Sequence, residues 1–294
     1  MVNLMSYQRV LLVISIIGIS GILVYYLARI EQTETQQTAG SRPIDLPYNW
    51  IGDITKEHIA EPSGITYHPI RKSLFIADDS GIVYEIDPNG TKIQTNGVNE
   101  IDIEGITVDP ATGLLYAAVE DDEVIIEIEP ETLTIQREFK INRDFKGEQL
   151  LKKGGMGIEA IAFVPDASHP EGGTFWVGNQ SFSLKENDEP SVVCEIVVPL
   201  RSAKGRKAEG TIINAYKMDF IDISGLTYDA QDDILILISD TTNLFVEMNQ
   251  QGTILSRYLL PGNEQEGVAL DGLGYMYVAQ ESGEIIKLGD RRLR

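Results

Sequence analysis

The chain has little cysteine, histidine or positive charge, and each shortage excludes something. One cysteine in 294 residues, Cys194, rules out an intramolecular disulfide. It sits in the apolar run Val192 to Val198 and reads as a small buried hydrophobe. Three histidines, His58, His68 and His169, are scattered and form no His/Cys cluster, which argues against zinc. Only 24 Lys and Arg stand against 45 Asp and Glu, a formal net charge of -21. Nucleic acid needs a basic footprint and is excluded as a partner. There is no G-x-S-x-G elbow and no order of Ser, His and Asp that suggests a triad. The glycine-rich Lys152 to Gly157 lacks the Gly-Lys-Ser/Thr ending of a phosphate loop and reads as a surface loop or flap.

Long apolar runs are also scarce. The exception is Val10 to Ala28, 19 residues without a charge between Arg9 and Arg29. That length spans a hydrocarbon core. A cleaved signal peptide would want small residues before its cut, but Tyr26 and Gln37 occupy the −3 positions of the two candidate sites. The expectation is an uncleaved signal-anchor over 10–28, with 1–9 in the cytoplasm and a polar tether over 29–45. The rest of the chain would face the periplasm or cell exterior from the inner membrane.

What is abundant is repetition. The stretch from Ile101 to Ile128 reads as three short strands: Ile101 to Val108, Leu114 to Val119 and Val124 to Ile128. Asp109-Pro110-Ala111-Thr112-Gly113 makes the first turn and Glu120 to Glu123 the second. The same phrase recurs at Ser63-Gly64-Ile65-Thr66, Glu159-Ala160-Ile161-Ala162, Ser224-Gly225-Leu226-Thr227 and Glu266-Gly267-Val268-Ala269. Each copy then has an apolar strand ending in Asp79, Glu120, Gln180, Asp240 or Glu281. Gly64 to Asp79, Gly105 to Glu120 and Gly225 to Asp240 each span 15 residues. A four-stranded repeat of roughly 40 to 60 residues is the mark of a β-propeller. The fold expected for 46–294 is all-β, a propeller of five blades, with six as the alternative. The fifth copy is one strand short, so the stretch around Tyr48 to Ile54 should supply its outer strand. Insertions gather on the third copy. Trp50 and Trp176 are expected to pack between blades.

By pseudo-symmetry Ser63, Glu104, Glu159, Ser224 and Glu266 form one ring at the start of the innermost strands, and the strand ends form a second. Facing carboxylates repel unless protonated or neutralised by a cation. An all-oxygen set suits Ca²⁺, with Mg²⁺ as the alternative. The candidate metal residues are Glu104, Glu120, Glu159, Asp240, Glu266 and Glu281. The competing reading is that Glu and Ser merely bond the backbone at a tight turn before Gly.

These phrases resemble the SdiA-regulated family, the YjiK-like bacterial proteins. The resemblance rests on Glu104-Gly105-Ile106-Thr107 with Leu115 to Glu120, Ile158 to Phe163 with Phe175-Trp176, Asp222 to Gly225 with Leu235 to Asp240, and Gln265 to Ala269 with Tyr275 to Glu281. It covers roughly residues 45 to 290 and implies a five-bladed propeller, similar to NHL-repeat propellers, with a calcium site. It implies no assigned activity. Glu104, Glu159 and Glu266 match the family's recurring Glu, and Glu120, Asp240 and Glu281 its acidic strand ends. Gln180 and Ala160 depart from that pattern.

The expected function is therefore a membrane-anchored extracytoplasmic module. It would bind calcium near the channel and an unidentified small molecule or protein on its face. The alternative is a metal-dependent hydrolase of phosphoesterase or lactonase type, with Glu159 or Glu266 as general base.

Overall fold

The computed structural model describes residues 44–98, 102–120, 123–151, 157–185 and 188–290. The segments expected to be cytoplasmic and membrane-spanning lie outside these residues, as does 152–156. Among the described residues no helix is long and apolar enough to cross a membrane.

All the regular elements described are strands. β1 (Ile44–Asp45) and β2 (Tyr48–Asp53) come first. The first meander is β3 (Pro62–His68), β4 (Ser73–Asp78), β5 (Ile82–Ile86) and β6 (Lys92–Gly97). The second is β7 (Ile103–Val108), β8 (Leu115–Val119), β9 (Val124–Glu129) and β10 (Thr134–Asn142). A small hairpin of β11 (Asp144–Phe145) and β12 (Glu148–Gln149) begins the insertion before the third. That meander is β13 (Ile158–Pro165), β14 (Gly173–Asn179), β15 (Val192–Val197) and β16 (Lys207–Lys217). The fourth is β17 (Ile223–Asp229), β18 (Ile234–Ser239), β19 (Leu244–Met248) and β20 (Ile254–Leu259). The last has β21 (Gln265–Leu270), β22 (Tyr275–Gln280) and β23 (Ile285–Asp290).

The missing fourth strand of the last meander is β2, which pairs antiparallel with β23 from Tyr48↔Asp290 to Asp53↔Ile286. Strands from near either end of the described residues thus share one sheet. Ile44 and Asp45, expected in the tether, instead pair in parallel with Tyr258 and Leu259 of β20. Two meanders also join at their outer edges. Glu138 to Asn142 of β10 lie parallel to Lys207 to Thr211 of β16, so the second and third share one eight-stranded sheet. This covers two edges that would otherwise offer unpaired backbone to other chains.

The innermost strands adjoin in the order β3, β7, β13, β17, β21 and back to β3. Their glycines allow it. A Cβ on Gly64 would stand 2.5 Å from the Glu104 carbonyl oxygen, and one on Gly105 2.8 Å from that of Glu159. No side chain fits between backbones that close. The second strands are buried on both faces and read as unbroken apolar runs. In β4, Leu74 and Ile76 pack toward Tyr277 and Ala279 of the fifth meander, while Phe75 and Ala77 pack toward Ile106 and Leu115 of the second. Five such clusters lie one between each adjacent pair of meanders. The architecture is that of a β-propeller.

Trp176 is fully buried in the cluster between the third and fourth meanders, with its ring stacked 5.6 Å from that of Tyr216. Trp50 does not pack between meanders: it is 50% exposed, because it sits on an outermost strand. Cys194 is buried, and burial pushes its thiol up to about 12, where it is inert.

Candidate metal centre at the acidic mouth

Each inner strand begins with the same irregularity. The register against the second strand shifts between Pro62 and Gly64, Ile103 and Ile106, Ile158 and Ala160, Ile223 and Gly225, and Gln265 and Gly267. The ring residues Ser63, Glu104, Glu159, Ser224 and Glu266 fall inside these shifts. They are the surplus residues of β-bulges, the device that re-aims one side chain out of a ladder.

The serines and the glutamates use this freedom differently. Ser63 Oγ donates to the Ile103 carbonyl and Ser224 Oγ to the Gln265 carbonyl, each at 2.6 Å. Both are therefore ties between neighbouring meanders and not free ligands. The glutamates instead meet other acids. Burial first, then Glu159 and Asp79, push Glu104 up to about 11. Glu159 is buried, and burial and Glu120 hold it well above the usual carboxylate range. Glu104 and Glu159 share a side-chain hydrogen bond. Two carboxyls so close keep a proton between them. Burial, Asp240 and Asp222 raise Glu266 to about 9. Burial and Asp102 raise Asp79 to about 7. Asp240 is raised by burial and Asp222, against a bond from the Gln265 amide.

One atom each from Asp79, Asp102 and Glu104 lie within 4.8 Å of one another. Of the six candidates, Glu104 stands in this triad. Glu120 perturbs both Glu104 and Glu159, Asp240 and Glu281 act on Glu266, and Glu281 acts on Asp79 of the triad as well. Glu159 bears on both Glu104 and Glu266. Gln180 is at the equivalent strand end but carries no charge.

Asp102 and Asp222 were not among the candidates, yet a signal existed. Two residues before each ring residue stand Glu61, Asp102, Gly157, Asp222 and Glu264, acidic in four repeats of five. The backbone carbonyl at this position accepts the amide of the second-strand end: Asp79 to Glu61, Glu120 to Asp102, Gln180 to Gly157 and Glu281 to Glu264. That bond brings each acidic pair together. Asp222 is buried and itself holds Thr241, accepting the Thr241 amide at 2.8 Å.

The donor set is oxygen only. His68 is buried elsewhere, with Nε2 2.9 Å from the Gly113 carbonyl, and burial lowers it. A triad of three carboxylates, two of which, Asp79 and Glu104, hold their protons above the usual range, fits a hard divalent cation, which would displace protons to bind.

A model of the SdiA-regulated family matches residues 53–285. Among curated proteins none matches the chain. The fold is similar to the crystal structure of Myxococcus xanthus glutaminyl cyclase, with a TM-score of 0.57 over 84% of this chain and 97% of that one. At 12% identity that likeness is one of fold alone. The repeated motifs, their arrangement and the span of the match agree: the chain belongs to the SdiA-regulated family.

Proposed function

We propose that this is a membrane-anchored, extracytoplasmic five-bladed propeller that holds a calcium ion at the acidic mouth of its channel and serves as a binding or scaffolding module. The five meanders, with inner strands that adjoin in closed order, support the blade number. The uncharged run Val10 to Ala28 supports the anchor. The convergence of Asp79, Asp102 and Glu104 carries the cation reading. Magnesium would bind the same oxygens but keeps more of its own water.

The test is a melting curve of the full-length protein in detergent against calcium concentration. A ligand that binds only the native state raises the melting temperature by mass action. The expected outcome is a rise of several degrees at millimolar calcium, lost in Asp79→Asn and Glu104→Gln. An unchanged wild-type curve would refute the reading.

A second reading, the metal-dependent hydrolase, has one observation in its favour. Glu159 is buried beside Glu104 and keeps a proton above the usual range, the state a general acid needs. Turnover of p-nitrophenyl phosphate or γ-butyrolactone, abolished by Glu159→Gln, would establish it. No turnover with either leaves the binding module.

A further inference from the structure

The inner strands have a second end. They run from the bulge residues to Thr66, Thr107, Phe163, Thr227 and Leu270, three or four residues and so about 10–13 Å further along at ~3.3 Å per residue. A cavity of ≈ 230 Å³ lies there, walled by residues of all five meanders. A neighbouring cavity of ≈ 260 Å³ lies between the fourth and fifth meanders and shares Asp229, Gln231, Leu270 and Gly272 with it. Neither is lined by the acids of the other mouth.

The lining has a consistent chemistry. Tyr67 and Tyr228 line the first cavity, and Tyr48 and Tyr275 the second, with Phe163 and three prolines adding apolar wall. Asp229 and Asp271 supply negative charge to the first. Among the described residues no Lys, Arg or His lines either cavity. Each aspartate is anchored to its turn through Oδ1. Asp229 Oδ1 takes the Gln231 amide at 2.8 Å, and Asp271 Oδ1 takes the Leu273 and Tyr275 amides at 2.7 and 3.0 Å. Tyr277 OH reaches Asp271 Oδ2 at 3.5 Å, and no donor among the described residues reaches Asp229 Oδ2.

Phenol rings beside carboxylates, with no cation among the described lining residues, make a receptor for positive charge carried on an apolar body. A bare metal ion is a poor fit. Among the described residues the triad at the other mouth is the one group of three acids close enough to share an ion. An anion is excluded by the carboxylates. The chain shows the chemistry on itself: Lys287 Nζ lies 4.2 Å from the Tyr275 ring centroid and 5.2 Å from that of Tyr277, though it lines neither cavity. Each cavity is smaller than the roughly 300–1,000 Å³ typical for drug-sized ligands. We propose that this second mouth binds a small organic cation, an amine or quaternary ammonium with an apolar or aromatic body.

The probes are tetramethylammonium and phenethylammonium, titrated by calorimetry into the full-length protein in detergent, with 2-phenylethanol as the uncharged counterpart. Asp229→Asn/Asp271→Asn keeps both Oδ1 acceptors of the turns and removes the charge. Glu104→Gln alters the other mouth only. Both cations should bind wild type and Glu104→Gln alike, at least tenfold more weakly to the Asn variant, and phenylethanol at least tenfold more weakly than phenethylammonium. If the Asn variant melts early, Tyr67→Leu decides instead: it removes a ring with no hydroxyl bond among the described contacts and should also cost tenfold. Absence of binding at millimolar probe would overturn the proposal. So would equal binding of the alcohol, or binding lost in Glu104→Gln and kept in the Asn variant.

Discussion

In the absence of metal, Glu266→Gln should stabilise the protein at pH 8. The Glu266 carboxyl is raised from 4.5 to about 9 by burial and its acidic neighbours. The folded chain therefore keeps this proton where the unfolded chain has lost it. The folded state binds more protons between pH 4.5 and 9, so stability falls as pH rises through that window and is flat below it. At pH 8 the gap from 4.5 is about 3.5 units, or about 5 kcal/mol at 1.36 kcal/mol per unit. Water entering a partly open mouth lowers this to about 2–4 kcal/mol. Glutamine has the same shape and no proton to lose. With about 2–4 °C per kcal/mol for a domain this size, the variant should melt ~5–15 °C above wild type in chelator at pH 8. At pH 4.5 the two should coincide. Saturating calcium should reverse the order at pH 8, since only wild type has the full acid set. The assay is circular dichroism melting from pH 4.5 to 9 with and without chelator. A variant that melts at or below wild type at pH 8 in chelator would refute the claim that these acids destabilise the empty mouth.

Other outcomes follow from the packing. Gly105→Ala places a methyl 2.8 Å from the Glu159 carbonyl oxygen and 2.9 Å from the Ile161 nitrogen, so the strands must part; a loss of about 3 kcal/mol or more in urea unfolding is expected. Deleting residues 1–54 removes β2 from β23 and should abolish the cooperative melting transition, a stronger effect than deleting 1–42. Arg137→Met leaves the buried Glu127 with Tyr116 as its one side-chain partner among the described residues and should cost about 3–5 kcal/mol in the same unfolding experiment. Cys194 should resist iodoacetamide in the folded protein at pH 8 and react on unfolding, read by mass spectrometry.

The repeat was legible because it is local. Gly-Ile-Thr or its equivalent, a turn, an apolar strand and an acid recur within about 15 residues, and the missing outer strand of the last copy pointed to the stretch around Tyr48. The ring position was legible for the same reason. What it does was less so. Ser63 and Ser224 look like members of an acidic ring, yet their hydroxyls turn to the next meander's carbonyl, a contact about 40 residues away in sequence. Asp102 lay outside the quoted motif, two residues early, and only the backbone bond between Asp102 and Glu120 reveals why that offset matters. The parallel pairing of β10 with β16 is set by strands about 70 residues apart, whose alternation says nothing about edges. Trp50 was misplaced because a large aromatic suggests burial, while the outermost strand of a sheet has little to bury it against.

The central claim is that the acidic mouth exchanges protons for a divalent cation. Calcium titration by calorimetry at pH 8 in two buffers of different ionisation enthalpy tests it directly, because the difference in heats counts protons released. Glu104 and Glu266, raised to about 11 and about 9, are protonated at that pH when the mouth is empty. Binding with release of about one proton or more per calcium, reduced in Glu104→Gln, is the predicted result. Calcium binding with identical heats in both buffers, or no binding at all, would contradict it.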